Sequence, residues 1–144
     1  MLAEITSSHG LDVLERMVQF AGRRHELITN NIANISTPYF RPTDLDADSF
    51  RASLGDAIEK RRDRHGGARG PLDPQDTRDV EFRRHGLAVD PRPSGANIMF
   101  HDRNDRDVER LMQNLAENTL VFRQATELLR SRYALLTSAI RERL

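Results

Sequence analysis

From Leu11 onward the apolar positions run Leu11, Leu14, Val18, Ala21, His25, Ile28, Ile32 and Ile35, spaced three and four residues apart in strict alternation. An unbroken seven-residue repeat of this kind specifies a helix with one narrow apolar seam, suited to lying lengthwise against another helix. Ser7 or Ser8 is placed to cap its start, and Asp12 and Glu15 sit early, where the helix dipole favours acids. Its end is set by Pro38, which pushes Thr37 out of helical geometry, and Pro42 makes 37–43 a rigid turn. A second series, Val108, Met112, Leu115, Thr119, Phe122, Thr126, Leu129, Tyr133, Leu136 and Ile140, alternates steps of four and three. It predicts a helix from about Asp107 almost to Leu144, with Asn104 or Asp105 as cap and Asp107 and Glu109 in its first turn. At 1.5 Å per residue the two helices reach roughly 40 Å and 55 Å. The expected fold is all-α and elongated, its terminal helices in antiparallel coiled-coil packing.

Between them the apolar content collapses. Leu, Ile, Val and Phe supply 16 of the 58 residues in 1–58, 5 of 39 in 59–97 and 14 of 47 in 98–144. Only the middle falls below the roughly 20% that offsets ordering entropy. It also holds four of the six prolines and five of the eight glycines. The organisation read from this is one structural domain in four parts. Residues 1–36 form the first helix and 37–62 the turn and a shorter helix. Residues 63–97 are expected to be a flexible loop, and 98–144 a cap segment with the last helix. The shorter helix, from about Asp46 to Arg62, aligns Phe50, Leu54, Ala57 and Ile58 on one face. Alternation permits short extended pieces at Val80–Arg83 and at Asn97–His101.

Several functions are disfavoured at once. Twenty-two basic residues balance 22 acidic ones, a poor footprint for a nucleic-acid binder. The absence of cysteine excludes a thiol nucleophile, disulfides and cysteine-ligated zinc. No apolar run approaches the roughly 18 residues of a membrane span, and the start lacks the pattern of a cleaved secretion signal. His101, Asp102, Asn104, Asp105 and Asp107 group hard-metal ligands, but without EF-hand spacing, and read as a helix-start cluster. His25, on the seam, reads as a polar register-setter rather than a ligand. Lys60, Arg61, Arg62 and Arg64 could touch phosphates but read as a solvated helix end favoured by the helix dipole. No nucleophile elbow or phosphate loop is present. Neither a cofactor, a small-molecule substrate nor catalysis is expected.

The C-terminal helix is apolar over more than one seam. Leu111, Leu120, Val121, Ala125, Leu128, Leu135 and Ala139 widen its greasy surface. At roughly 25 cal/mol per Å2, leaving several such side chains wet forgoes several kcal/mol, and patches of that size mean association. Asn30, Asn31 and Asn34 lie off the first seam, where a solvated face carries charge. Either they bond a neighbouring chain or they fray the helix before Pro38, and the residues alone leave both open.

The run Asn30-Asn31-Ile32-Ala33-Asn34-Ile35-Ser36-Thr37-Pro38-Tyr39-Phe40-Arg41 resembles the signature of the bacterial flagellar rod, hook and hook-associated axial proteins. Asp44–Phe50 and the C-terminal stretch, above all Leu115-Ala116-Glu117-Asn118 and Leu128-Leu129…Tyr133…Leu136, resemble the short proximal rod proteins of the FlgB type. The likeness covers both ends, about two-thirds of the chain. It departs from the pattern after Pro38, where the family's glycine is replaced by Tyr39, so a turn of different shape is expected.

The resemblance implies a rod subunit that transmits torque and lines an export channel, delivered by the flagellar export apparatus without a cleaved signal. Its implied partners are copies of itself, FlgC-like and other rod subunits, a FliE-like adaptor and the basal-body ring. Seam and motif together nominate as assembly surface Leu14, Val18, Ile28, Asn30, Asn31, Ile32, Asn34, Ile35 and Pro38 from the first half, and Leu115, Asn118, Phe122, Leu129, Tyr133, Leu136 and Ile140 from the second. The bare residue reading leaves a cytosolic coiled-coil adaptor or export chaperone as the alternative.

Overall fold

The computed structural model describes residues 9–66, 70–84, 86–94 and 107–141. Among them the chain forms, in order, α1 (His9–Ala33), β1 (Thr43–Asp44), α2 (Ala47–His65), β2 (Val80–Arg83), β3 (Gly86–Val89), β4 (Arg92–Pro93) and α3 (Val108–Arg141). The fold is mostly helical, with the two long helices packed on each other. They run antiparallel, since Asn118 meets Ala21 whereas Tyr133, further along α3, meets Glu15, earlier on α1.

Helix α1 ends three residues before the expected 36. Asn34 turns its side chain back onto the Asn30 carbonyl at 2.9 Å, and Thr37 N–H bonds the Asn34 carbonyl at 2.9 Å, closing a turn ahead of Pro38. Tyr39 then adopts φ 61. The missing glycine therefore does not abolish the left-handed step after the proline; a tyrosine takes it. Ser7 and Ser8, the expected caps of α1, lie outside the described residues.

Helix α2 begins and ends by local chemistry. Asp46 caps it, its Oδ1 accepting from the N–H groups of Asp48 and Ser49, both at 3.0 Å. Gly66, at φ 64, closes it by donating to the Arg62 carbonyl at 2.8 Å. For α3 the cap is Asp107, whose Oδ1 accepts from Arg110 N–H at 3.0 Å. Sequence placed Asp107 inside the first turn; Asn104 and Asp105 lie outside the described residues.

Within the expected loop 63–97 the extended piece at Val80–Arg83 is present as β2, and regular structure reaches further than that piece. Residues 63–65 continue α2, and β2 and β3 form an antiparallel hairpin pairing Val80 with Val89 and Phe82 with Leu87. Strand β1 pairs with β4 through Thr43 and Pro93. The alternation of β2 turns Val80 and Phe82 inward and exposes Glu81 and Arg83. Leu72, Val80, Phe82, Leu87 and Val89 are all the apolar residues counted in that segment, and all five pack on the core. Few apolar groups suffice when none is wasted. The other extended piece, Asn97–His101, lies outside the described residues.

That core sits between α1, α2 and the hairpin. Phe20, Leu45, Phe50, Leu54 and Val80 are buried in it. The Phe50 ring stacks on Phe20 at 4.0 Å between centroids and lies 5.8 Å from Phe82. Burying each such side chain is worth roughly 1.5–3 kcal/mol. Helix α3 takes no part in this cluster and packs chiefly along α1.

Candidate assembly surface

Helix α1 carries two seams. Val18, Ala21 and Ile28 belong to the expected one, and Ala21 and Ile28 are each 1% exposed. A second runs Val13, Met17, Phe20, Arg24, Leu27 and Asn31, again in steps of four and three, and its apolar members face the core. Sequence reading missed it because two of its six members are polar. Each has a dedicated partner. Arg24 grips Asp44 with two hydrogen bonds, 2.9 and 2.8 Å, the side chains being 11% and 20% exposed. Asn31, 2% exposed, makes a two-way clamp on Thr43, donating to its carbonyl at 2.7 Å and accepting from its N–H at 3.2 Å. The hydrogen bond to Asp44 raises the Arg24 pKa further above its already high value, against desolvation, with the Asp44, Glu117 and Asp48 charges assisting. Arg16 adds a third tether. It donates to the carbonyls of Gly86 at 2.6 Å and Arg83 at 2.7 Å, pinning the hairpin turn to α1.

On α3 the phase differs from the expected seam. The residues buried there are Leu111, Asn118 and Ala125, seven apart, one step before Met112, Thr119 and Thr126. Asn118 donates to the Ala21 carbonyl at 2.8 Å, and a Cβ at Gly22 would lie 3.9 Å from the Phe122 ring. Small residues win this column because Ala21 and Ala125 let the helices approach closely. His25, expected on the seam as a register-setter, is exposed.

The nominated residues accordingly divide. Ile28, Asn31 and Asn118 spend their surface inside the chain. Leu14, Val18, Ile32, Asn34, Ile35, Leu115, Leu129 and Leu136 are partly covered, and Asn30 and Pro38 are exposed. Phe122, Tyr133 and Ile140 are 37%, 48% and 64% exposed, and with Val108 and Met112 they form one bare flank of α3. Leu128 and Leu135 form another. Tyr133 reaches Glu15 Oε1 at 2.9 Å, and that bond raises the phenol's pKa. Between α1, α2 and α3 lies an apolar groove of about 210 Å3, floored by Met17, Phe20, Leu54 and Val121 and edged by Arg24, Arg51 and Glu117.

Among the described residues the pKa shifts fall on Arg24, Asp46 and Tyr133, each explained by a structural hydrogen bond. For Asp46 the bonds from Ser49 lower it, the helix cap at work. No three His, Asp or Glu side chains among the described residues gather as a metal site. No described helix is long and apolar enough to cross a membrane.

No family model matches the chain. The flagellar basal body rod protein FlgB of Cereibacter sphaeroides is 30% identical over 120 residues, covering 82% of this chain and 83% of its own length. That extent agrees with the motifs at both ends. The chain belongs to the FlgB family of flagellar basal-body rod proteins, and is a structural protein rather than an enzyme.

Proposed function

We propose that this chain is a subunit of the proximal rod, joined to its neighbours through α1 and α3, and that the joined helices transmit torque and line the export channel. One observation carries the reading: among the described residues α3 keeps Phe122, Tyr133 and Ile140 on one flank and Leu128 and Leu135 on the other between 37% and 64% exposed. A 34-residue helix with one partner on one side and apolar flanks on both others is built to be enclosed by further helices. Around a channel, copies would meet head to tail in a helical, non-closing array. Copies of itself, FlgC-like subunits, a FliE-like adaptor and the ring are the neighbours this reading requires, with the flagellar export apparatus delivering them. The rod surface proposed is the nominated set less Ile28, Asn31 and Asn118, with Leu128 and Leu135 added.

Ile140→Asp tests it. The side chain is 64% exposed, so the isolated protein should keep its stability within about 0.5 kcal/mol. Rod incorporation and swimming should be lost. Normal swimming would refute the reading, and unfolding of the isolated protein would return Ile140 to the chain's own core.

A further inference from the structure

Seven-residue periodicity leaves one matter undecided: which turn of α3 lies against which turn of α1. The α3 column facing α1 reads Leu111, Asn118, Ala125 and Arg132, and the column beside it Leu115, Phe122, Leu129 and Leu136. Sliding α3 by seven residues, about 10 Å, replaces Phe122 over Gly22 by Leu115 or Leu129. It replaces Asn118 at Ala21 by Leu111 or Ala125. Apolar burial discriminates poorly among these alignments.

Asn118 breaks the tie. It is 4% exposed, and its Nδ2 donates to the Ala21 carbonyl at 2.8 Å, 97 positions away in sequence. That carbonyl sits within α1 and is reachable because Ala21 and Gly22 carry almost no side chain. One heptad away the amide would face Leu14 or Ile28, whose bulk screens the main chain, and a buried amide without a partner is expensive. The Tyr133–Glu15 bond joins the same helices but lies exposed to water, where exchange with solvent leaves it little power to discriminate. We propose that Asn118 is the register key of the helix pair: one buried amide, bonded to one main-chain carbonyl, that selects among heptad-related alignments of α3 on α1. A lone polar group at a core position of a heptad pair specifies register at some cost in stability. Every exposed apolar side chain of α3 moves with the register, so the key also sets where the bare flanks stand relative to α2 and the hairpin. That consequence for assembly rests on the rod reading above; the register itself does not.

The chain has no cysteine, so introduced pairs report alignment without background. Gly22→Cys is combined with cysteine at 115, 122 or 129 in the full-length protein and treated with a short bis-maleimide. Cross-linking should concentrate at 122. With Asn118→Leu it should spread to 115 and 129, discrimination falling about tenfold, while helicity and thermal stability hold or rise. The relocated amide, Asn118→Ala with Ala125→Asn, should move the dominant cross-link to 129. A cross-link that stays at 122 in both variants overturns the proposal. Cells carrying Asn118→Leu should swim poorly; normal swimming with a spread register would overturn the link to assembly and leave the register key standing.

Discussion

Replacing Tyr39 by glycine should make this protein more stable. Tyr39 sits at φ 61, where a Cβ crowds the following carbonyl at a cost of roughly 1–2 kcal/mol. Its ring is 82% exposed, so removing it forfeits little burial. Glycine relieves the crowding but enlarges the unfolded ensemble, which costs about 0.5–1 kcal/mol. The balance is a gain of about 0.5–1 kcal/mol. Tyr39→Ala separates the two effects, because it deletes the ring and keeps the Cβ; it should leave stability within about 0.5 kcal/mol. Urea denaturation followed by circular dichroism at 222 nm measures both, with midpoints compared at unchanged slope. A loss of stability in Tyr39→Gly, or an equal gain in Tyr39→Ala, would refute the strain argument. The first outcome would mean that the ring carries contacts outweighing the backbone, the second that the ring itself is the burden.

Two further tests address the tethers beneath the assembly surface. Arg24→Met should cost about 2–3 kcal/mol, since it leaves the largely enclosed Asp44 carboxylate without its cation; combined with Asp44→Asn, the loss should be smaller than the two single losses added, by urea denaturation. Asp46→Ala should cost about 1 kcal/mol at neutral pH as a lost helix cap. Because the folded Asp46 pKa lies below its ordinary value, the cap's contribution is full above the unfolded value near 3.9 and is lost as pH falls through the folded one. The gap between wild type and variant should therefore narrow below about pH 4; a gap constant from pH 7 to 3 would contradict the assignment.

How far the sequence could be read depended on where polar residues stood. The helices at both ends were legible because Leu14, Ala21 and Ile28, and Leu115, Leu129 and Leu136, fall on a seven-residue repeat. The second seam of α1 was not, because Arg24 and Asn31 look like surface residues until Asp44 and the Thr43 backbone come round to meet them. No periodicity announces a partner that arrives by a turn. The phase of α3 was misjudged for the opposite reason. It is apolar over so much of its circumference that the longest apolar series, Val108 to Ile140, was not the column in contact. Contact went to Leu111, Asn118 and Ala125, where small size and one hydrogen bond outweigh greasiness. Of the hairpin, alternation showed Val80–Arg83 but not its partner strand: five apolar residues in 39 look inadequate, yet all five pack on the core.

The residues that α3 turns to α1 bear on why the bare flanks exist. A column in which Leu111 is the one large apolar member beside Asn118, Ala125 and Arg132 buries modest apolar area, since an alanine contributes about 0.8 kcal/mol per buried carbon where a leucine contributes 1.5–3. Helix α3 is thus held on α1 largely by small and polar side chains, while Leu128, Leu135 and Ile140 stand exposed. A sequence selected for a self-sufficient monomer would turn the leucines to α1 and the asparagine and arginine to water. On the rod reading the inversion is reasonable: alignment within the chain is set by one amide, and the strong apolar binding is reserved for contacts between chains. The same division explains why the compact core of α1, α2 and the hairpin excludes α3. The core must hold while the subunit is alone, and α3 needs its full cover only once neighbours arrive.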